Sequence, residues 1–278
     1  APVILTRGFG GRRAGPCWIA DGTYLAEDVG DEPLLLARAA PTLVARDRRA
    51  GARAIERSTE RNPSVILMDD GLQNPSLSKD LTIAVVDAAR GFGNGLVIPS
   101  GPLRAPLDLQ MRLTGAILIN TPPSMVLDDP EARSPLAAKL RHAFPGPVLE
   151  ARAEATAAIA VAAGEPIVAF AGIANPERFY ALLERQGGAI IARRSFADHH
   201  AFSETDAEAL LRLADTHGAE LITTEKDHVR LVGFGGARER LARRARQLAI
   251  KLSFLNQDEL RLAELVLGAI RARRAGGA

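Results

Sequence analysis

The sequence predicts an α/β fold, a mostly parallel sheet domain followed by a smaller α/β domain, and three observations carry that expectation. Short apolar runs rich in β-branched residues alternate with helix-length patterns. One such run, residues 65–68, reads as a buried parallel strand that ends in the paired carboxylates Asp69 and Asp70, and Gly71 stops it at once. A chain of 278 residues, 47% hydrophobic and 24% charged, suits about two soluble domains of ordinary size.

Residues 3–6, 42–45, 65–68, 83–86 and 116–120 read as strands, with helical patterns at 32–39 and 48–59. Residues 88–108 are dense in Gly and Pro, and loops of that length are usually functional or disordered. A second unit begins near residue 150, giving domains 1–149 and 150–278. Its strand at 167–171 leads to a helix after Asn175-Pro176, with Asn175 as N-cap and Pro176 at the first helical position. A strand at 190–192 precedes a helix from about Ser203, where Ser203-Glu204-Thr205-Asp206 has capping-box spacing. A strand at 221–223, a short helix at 225–231, a strand at 250–254 and a helix at 257–273 complete the unit. The apolar stretch 156–174 is broken by Gly164-Glu165-Pro166, so it reads as two strands around a turn. A membrane span needs about 20 largely apolar residues.

Composition narrows the partners. Net charge is only +2, so overall charge gives no sign of a nucleic-acid partner, although the pI is near 9.0. The single Cys17 excludes an intramolecular disulfide and fits a reducing compartment. Basic residues are almost all Arg; the lysines are Lys79, Lys139, Lys226 and Lys251. The basic runs at 238–246 and 271–274 suit a solvated helix face or anionic lipid headgroups.

Ligands of open α/β sheets bind outside the carboxyl ends of the strands, where Asp69 and Asp70 are expected. Such an acid pair suits Mg²⁺, a hard cation that takes oxygen ligands and shares substrate phosphates. Plainer readings stand beside this one. The acid pair would be an Asx-type turn. Asp31 and Glu32 before Pro33 would cap the helix at 32–39. His199 would be an ordinary loop histidine. Arg104 and Arg7 would lie on solvated loops or bind a phosphate.

Several strings in order bring a family into view. They are Thr6-Arg7-Gly8-Phe9-Gly10-Gly11, Val29-Gly30-Asp31-Glu32-Pro33-Leu34-Leu35-Leu36-Ala37 and Asp69-Asp70-Gly71-Leu72-Gln73. Next come Asp87-Ala88-Ala89-Arg90-Gly91-Phe92-Gly93-Asn94-Gly95 and Pro99-Ser100-Gly101-Pro102-Leu103-Arg104. Gly172-Ile173-Ala174-Asn175-Pro176-Glu177-Arg178-Phe179, Phe196-Ala197-Asp198-His199-His200 and Thr223-Thr224-Glu225-Lys226-Asp227 follow. Over residues 3 to 231 their order resembles the tetraacyldisaccharide 4′-kinases of lipid A synthesis.

The resemblance implies a P-loop-kinase-like domain and a smaller α/β domain with the active site in the cleft between them. It implies transfer of the ATP γ-phosphoryl to the 4′-hydroxyl of an acylated glucosamine disaccharide 1-phosphate. It implies work at the cytoplasmic face of the bacterial inner membrane, or in the cytoplasm if the N-terminal anchor is absent. Asp69 and Asp70 take the Walker B-like position and bind the Mg²⁺ and nucleotide, with Glu32 as a further metal ligand. Asp31 is the implied catalytic base, assisted by His199 rather than the adjacent His200. Arg104, Gln73 and Arg7 are implied substrate contacts. Asn175, Thr224 and Lys226 read as mainly structural.

The family also carries a Walker A loop upstream of the Arg-Gly-Phe-Gly segment. No lysine here stands in a Gly-Lys-[Ser/Thr] string. The first strand, the P-loop and its helix, and any N-terminal membrane anchor, are therefore expected to be absent, and the chain alone to be impaired as a kinase. The alternative is a non-catalytic homologue that binds the acylated disaccharide without nucleotide. Two departures from the family's strings stand out. Ala105 follows Arg104 where Glu is frequent, and Asn74 follows Gln73 where His is common.

Overall fold

In a computed structural model, which describes residues 1–20, 22–58, 63–122, 134–156 and 164–276, the chain opens with β1 (Pro2–Thr6). Its residues Val3 to Thr6 are all buried. β2 (Cys17–Trp18), α1 (Ala26–Val29), α2 (Asp31–Ala37), β3 (Thr42–Val44), α3 (Arg48–Glu56) and β4 (Val65–Met68) follow. β1 pairs in parallel with β3 and with β4, and β2 joins β3 antiparallel, in the order β2-β3-β1-β4. The register Leu5↔Met68 and Thr6↔Val44 brings the carboxyl ends of β1, β3 and β4 together. α3 starts where it does because the Asp47 side chain accepts the N–H groups of Arg49 and Ala50.

The next elements are β5 (Ile83–Asp87), α4 (Leu107–Leu113), β6 (Ala116–Thr121), α5 (Pro135–Ala143) and β7 (Val148–Ala155). After them come β8 (Pro166–Ala171), α6 (Pro176–Arg185), β9 (Ala189–Ser195), α7 (Glu204–His217) and β10 (Glu220–Thr224). α8 (Glu225–Val229), α9 (Gly236–Arg244), β11 (Arg246–Leu248), β12 (Ile250–Phe254) and α10 (Asp258–Ala275) end the chain. β5, β6 and β7 are parallel neighbours, with β12 beside β7. β11-β10-β8-β9 is parallel throughout. The early strands, read as one sheet, thus divide between two.

Contacts gather the chain into two compact units, Ala1–Asp69 with Ala155–Ile250, and Asp70–Glu154 with Lys251–Ala278. Each unit is therefore built from two separate stretches of chain. In the first unit β8 is buried on both faces, which is why its sequence is a continuous apolar run. Val168 and Phe170 pack with Leu210, Leu221 and Leu241, whereas Ile167 and Ala169 pack with Phe179, Tyr180 and Leu183. In the second unit Ile117 and Ile119 meet Leu140 and Phe144, and Leu118 meets Leu149 with Phe254 and Leu265 alongside.

Several local expectations are refined. β4 is an edge strand, not a fully buried one: Leu67 is 45% exposed, because among the described residues β4 pairs on one side alone. α7 has the expected capping box, closed reciprocally by Ser203 and Asp206. Asn175 stands at the N-cap of α6 but makes no side-chain cap bond. The strand expected before Gly164 falls on 157–163, and residue 59 ends the pattern at 48–59; both lie outside the described residues. Among the described residues no helix is long and apolar enough to cross a membrane.

α8 sets up a pH dependence of stability. Its His228 donates Nε2–H to the Ala242 carbonyl at 2.9 Å, and buried Nδ1 has no partner among the described residues. Burial pushes the imidazole below its ordinary value, helped by Arg38, against the Ala242 bond and Glu239. The unfolded chain takes up a proton below about pH 6.5 while the folded chain resists it. Stability is therefore lost as pH falls below that value. Melting curves at pH 7.5 and 5.5 should show a lower midpoint in acid, and His228→Gln should flatten the difference.

Candidate active site

Two glycine-containing strings face each other backbone to backbone. Gly30 adopts φ 92 and ψ 159, and a Cβ on it would lie 2.4 Å from the Phe9 carbonyl oxygen. Gly8, at φ 70, would meet the Val29 carbonyl oxygen at 2.7 Å. This apposition lets α2 begin directly at Asp31.

Asp31 is 4% exposed. Its Oδ1 accepts the Glu32 N–H at 3.0 Å, and its Oδ2 accepts both Nε–H (2.9 Å) and Nη2–H of Arg230. Burial by itself raises the Asp31 carboxyl. The Arg230 hydrogen bond and charge, with His199 and Lys226, outweigh burial and hold it below the usual carboxylate range. Arg230 is buried as well, and its Nη1 donates to the Gly172 carbonyl at 2.7 Å and to Asp227 Oδ1 at 2.9 Å. Asp227 is fully buried and also accepts the Gly172 N–H (3.0 Å) and the Thr224 hydroxyl (2.6 Å). Burial pushes its carboxyl up, and these partners offset that only in part.

His199 completes the cluster. Its Nδ1 lies 3.3 Å from Asp31 Oδ2 and 3.4 Å from Arg230 Nη2, so the tautomer decides which contact is a hydrogen bond. A protonated Nδ1 donates to Asp31 and leaves Nε2 as a proton acceptor. The Phe9 ring meets the imidazole edge-on at 5.7 Å between centroids. The His199 N–H donates to the same Gly172 carbonyl that Arg230 uses. With its side chain 37% exposed, His199 is the open member of the pair. Asp31 and His199 lie within one compact unit.

The acid pair divides. Asp69 sits just past β4, with its Oδ2 accepting the Thr6 hydroxyl at 2.9 Å. Buried Arg48 donates to the carbonyls of Ala45 (2.9 Å) and Asp69 (3.0 Å), tying the ends of β3 and β4. Asp70, at φ 49, receives Arg104 Nη1 at 2.7 and 2.6 Å on its two oxygens. Both side chains are about 60% exposed, so this pair adds at most about 1 kcal/mol of stability. Among the described residues the non-glycine residues at positive φ are Asp70, His199 and Asn256, so two of three are predicted site residues. Gln73 Nε2 donates to Gln110 at 2.7 Å, Arg7 is exposed, and Glu32 holds Lys226 at 2.7 Å.

Asp69, with the Thr6 hydroxyl beside it, offers oxygen alone, which fits a hard cation such as Mg²⁺. Glu32 is an ion-pair partner of Lys226 here. Among the described residues no three His, Cys, Asp or Glu side chains converge into a metal-holding group. Mg²⁺ takes its remaining oxygens from water and phosphates. Sequence reasoning missed Arg230, Asp227 and Arg48. The Asp227/Arg230 spacing of i,i+3 after Thr224 was the available signal.

The chain matches the family described as LpxK, tetraacyldisaccharide-1-P 4′-kinase, over residues 1–270. A tetraacyldisaccharide 4′-kinase of Rhodopseudomonas palustris (strain BisA53) is 43% identical over 279 residues, covering 99% of this chain and 78% of that one. One from Methylobacterium nodulans is 49% identical over 231 residues, covering 83% of this chain and 65% of that one. Among solved structures, "apo" form LpxK from Aquifex aeolicus in complex with ATP aligns with a TM-score of 0.70 at 21% identity. That alignment covers 97% of this chain and 79% of the other, and it shows the shared fold.

Proposed function

The chain belongs to the tetraacyldisaccharide-1-P 4′-kinase family, and from that premise we propose that it carries the machinery moving the ATP γ-phosphoryl to the 4′-hydroxyl of tetraacyldisaccharide 1-phosphate. The observation that carries the reading is the Asp31–His199 pair at 3.3 Å, held by Arg230. A sugar hydroxyl attacks phosphorus poorly until it is aligned and relieved of its proton. The 4′-oxygen forms a bond to the γ-phosphorus as the bond to the β,γ-bridging oxygen breaks, and that electron pair leaves on ADP. The hydroxyl proton passes to the Asp31–His199 pair. Asp31 stays ionised under Arg230 and orients the imidazole, and the proton taken up belongs to the pair rather than to one atom.

Asp69 and Asp70 would hold Mg²⁺, which when bound with ATP neutralises phosphate charge. Arg104, released from Asp70, would turn to a phosphate oxygen, for which its planar fork is suited. Gln73 and Arg7 would contact substrate. The acylated substrate puts this work at the cytoplasmic face of the inner membrane. α10 would present exposed Leu260 (64%) and Leu267 (48%) with Arg271 and Arg274 to that surface, and Glu264 shares their face. The α9 arginines are less available to it, because Arg238, Arg243 and Arg244 are engaged by Glu204, Glu239 and Asp215.

The test is transfer of labelled phosphate from Mg·ATP to tetraacyldisaccharide 1-phosphate in detergent micelles by the full-length protein. Transfer is expected, with His199→Ala slower by about 10–10²-fold in kcat. Binding of the lipid without any transfer would instead make this a non-catalytic homologue.

A further inference from the structure

We infer that Arg230, backed by Asp227 and the Gly172 peptide, is the positioning residue that fixes the Asp31–His199 pair. The inference rests on the proposed role of that pair. Four chain segments converge here: the start of α2, the turn after β8, the loop after β9, and α8 with its C-cap. Arg230 joins three of them with one rigid group. Nε and Nη2 grip a single oxygen of Asp31, while Nη1 reaches the Gly172 carbonyl and Asp227.

The same Gly172 carbonyl accepts the His199 N–H at 3.1 Å, and the Gly172 N–H donates to Asp227 Oδ1 at 3.0 Å. The carbonyl of Gly172 therefore holds both the backbone carrying the imidazole and the guanidinium gripping the carboxylate. A Cβ at Gly172 would lie 3.1 Å from Asp227 Oδ1 and 3.1 Å from His200 Cβ, so the surroundings are closely packed against this residue. Arg230 is about 94% buried in its side chain and leaves solvent to His199. It therefore acts through Asp31 and does not itself meet the substrate. Lysine at this position keeps the charge but has neither the fork nor the reach to serve Asp31 and Gly172 together.

The experiment compares Arg230→Lys, Asp31→Asn and the double variant in full-length protein, by steady-state kinetics and melting temperature. Arg230→Lys should keep KM for ATP and for lipid within about threefold and lose about 10²-fold in kcat, the cost of a misplaced catalytic group. In the Asp31→Asn background the same change should cost no further activity, since the group it positions is already gone. Losses that multiply in the double variant would overturn the inference and leave Arg230 a general stabiliser. So would full kcat in Arg230→Lys. Full kcat in Asp31→Asn alone would remove the Asp31 reading itself, and the positioning role with it. Arg230→Met strands two buried carboxylates and is a poor substitute for the lysine variant.

Discussion

Asp31→Asn should lower kcat for phosphoryl transfer by about 10²–10⁴-fold, with KM for ATP and lipid little changed. Asparagine keeps the shape and one acceptor oxygen, so Arg230 and the Glu32 N–H retain partial partners. What is lost is the negative charge that orients a protonated Nδ1 of His199. The variant should also be less stable at neutral pH by about 1–3 kcal/mol, the range for a buried hydrogen bond to a charged group. The sign of its pH dependence follows. The Asp31 carboxyl is held below its unfolded value, so its stabilising effect is present above about pH 4 and fades as pH falls through the folded value. The stability gap between parent and variant should therefore narrow in acid. Kinetics at a temperature well below both midpoints separates chemistry from unfolding.

Gly30→Ala should be nearly as damaging by another route. The residue sits at φ 92 and ψ 159, a region L-residues avoid, and the added methyl carbon would lie 2.4 Å from the Phe9 carbonyl oxygen. The obstruction is backbone, so no side-chain rotation relieves it. Strain and overpacking together should cost about 2–4 kcal/mol. Displacing the start of α2 moves Asp31 against His199, and about 10²-fold in kcat should go with it. A variant with parental kcat and melting temperature would show that the Gly8–Gly11 loop yields freely to α2.

Asp31 and His199 were singled out through the family resemblance alone, and the structure brings their side chains to 3.3 Å. The first sheet's β1, β3 and β4 were legible as short apolar runs. Arg230 was not, because its role depends on partners at sequence separations of 58 and 199. Nor was the pairing of Asp70 with Arg104, which lies 34 residues away. α9 read as a solvated basic helix face because its composition is strongly polar; its inward side, Ala237, Leu241 and Ala242, is made of small and isolated apolar residues. β4 read as buried because an apolar run carries no mark of lying at a sheet edge.

The 199-residue gap between Asp31 and Arg230 has a consequence for biosynthesis. At about 5–20 residues per second, a ribosome needs roughly 10–40 s to deliver Arg230 after Asp31 has been made. Through that interval the acidic start of α2 lacks its cationic partner. The nascent chain cannot assemble its proton-accepting pair early, and the capacity for chemistry arrives only when α8 has left the ribosome.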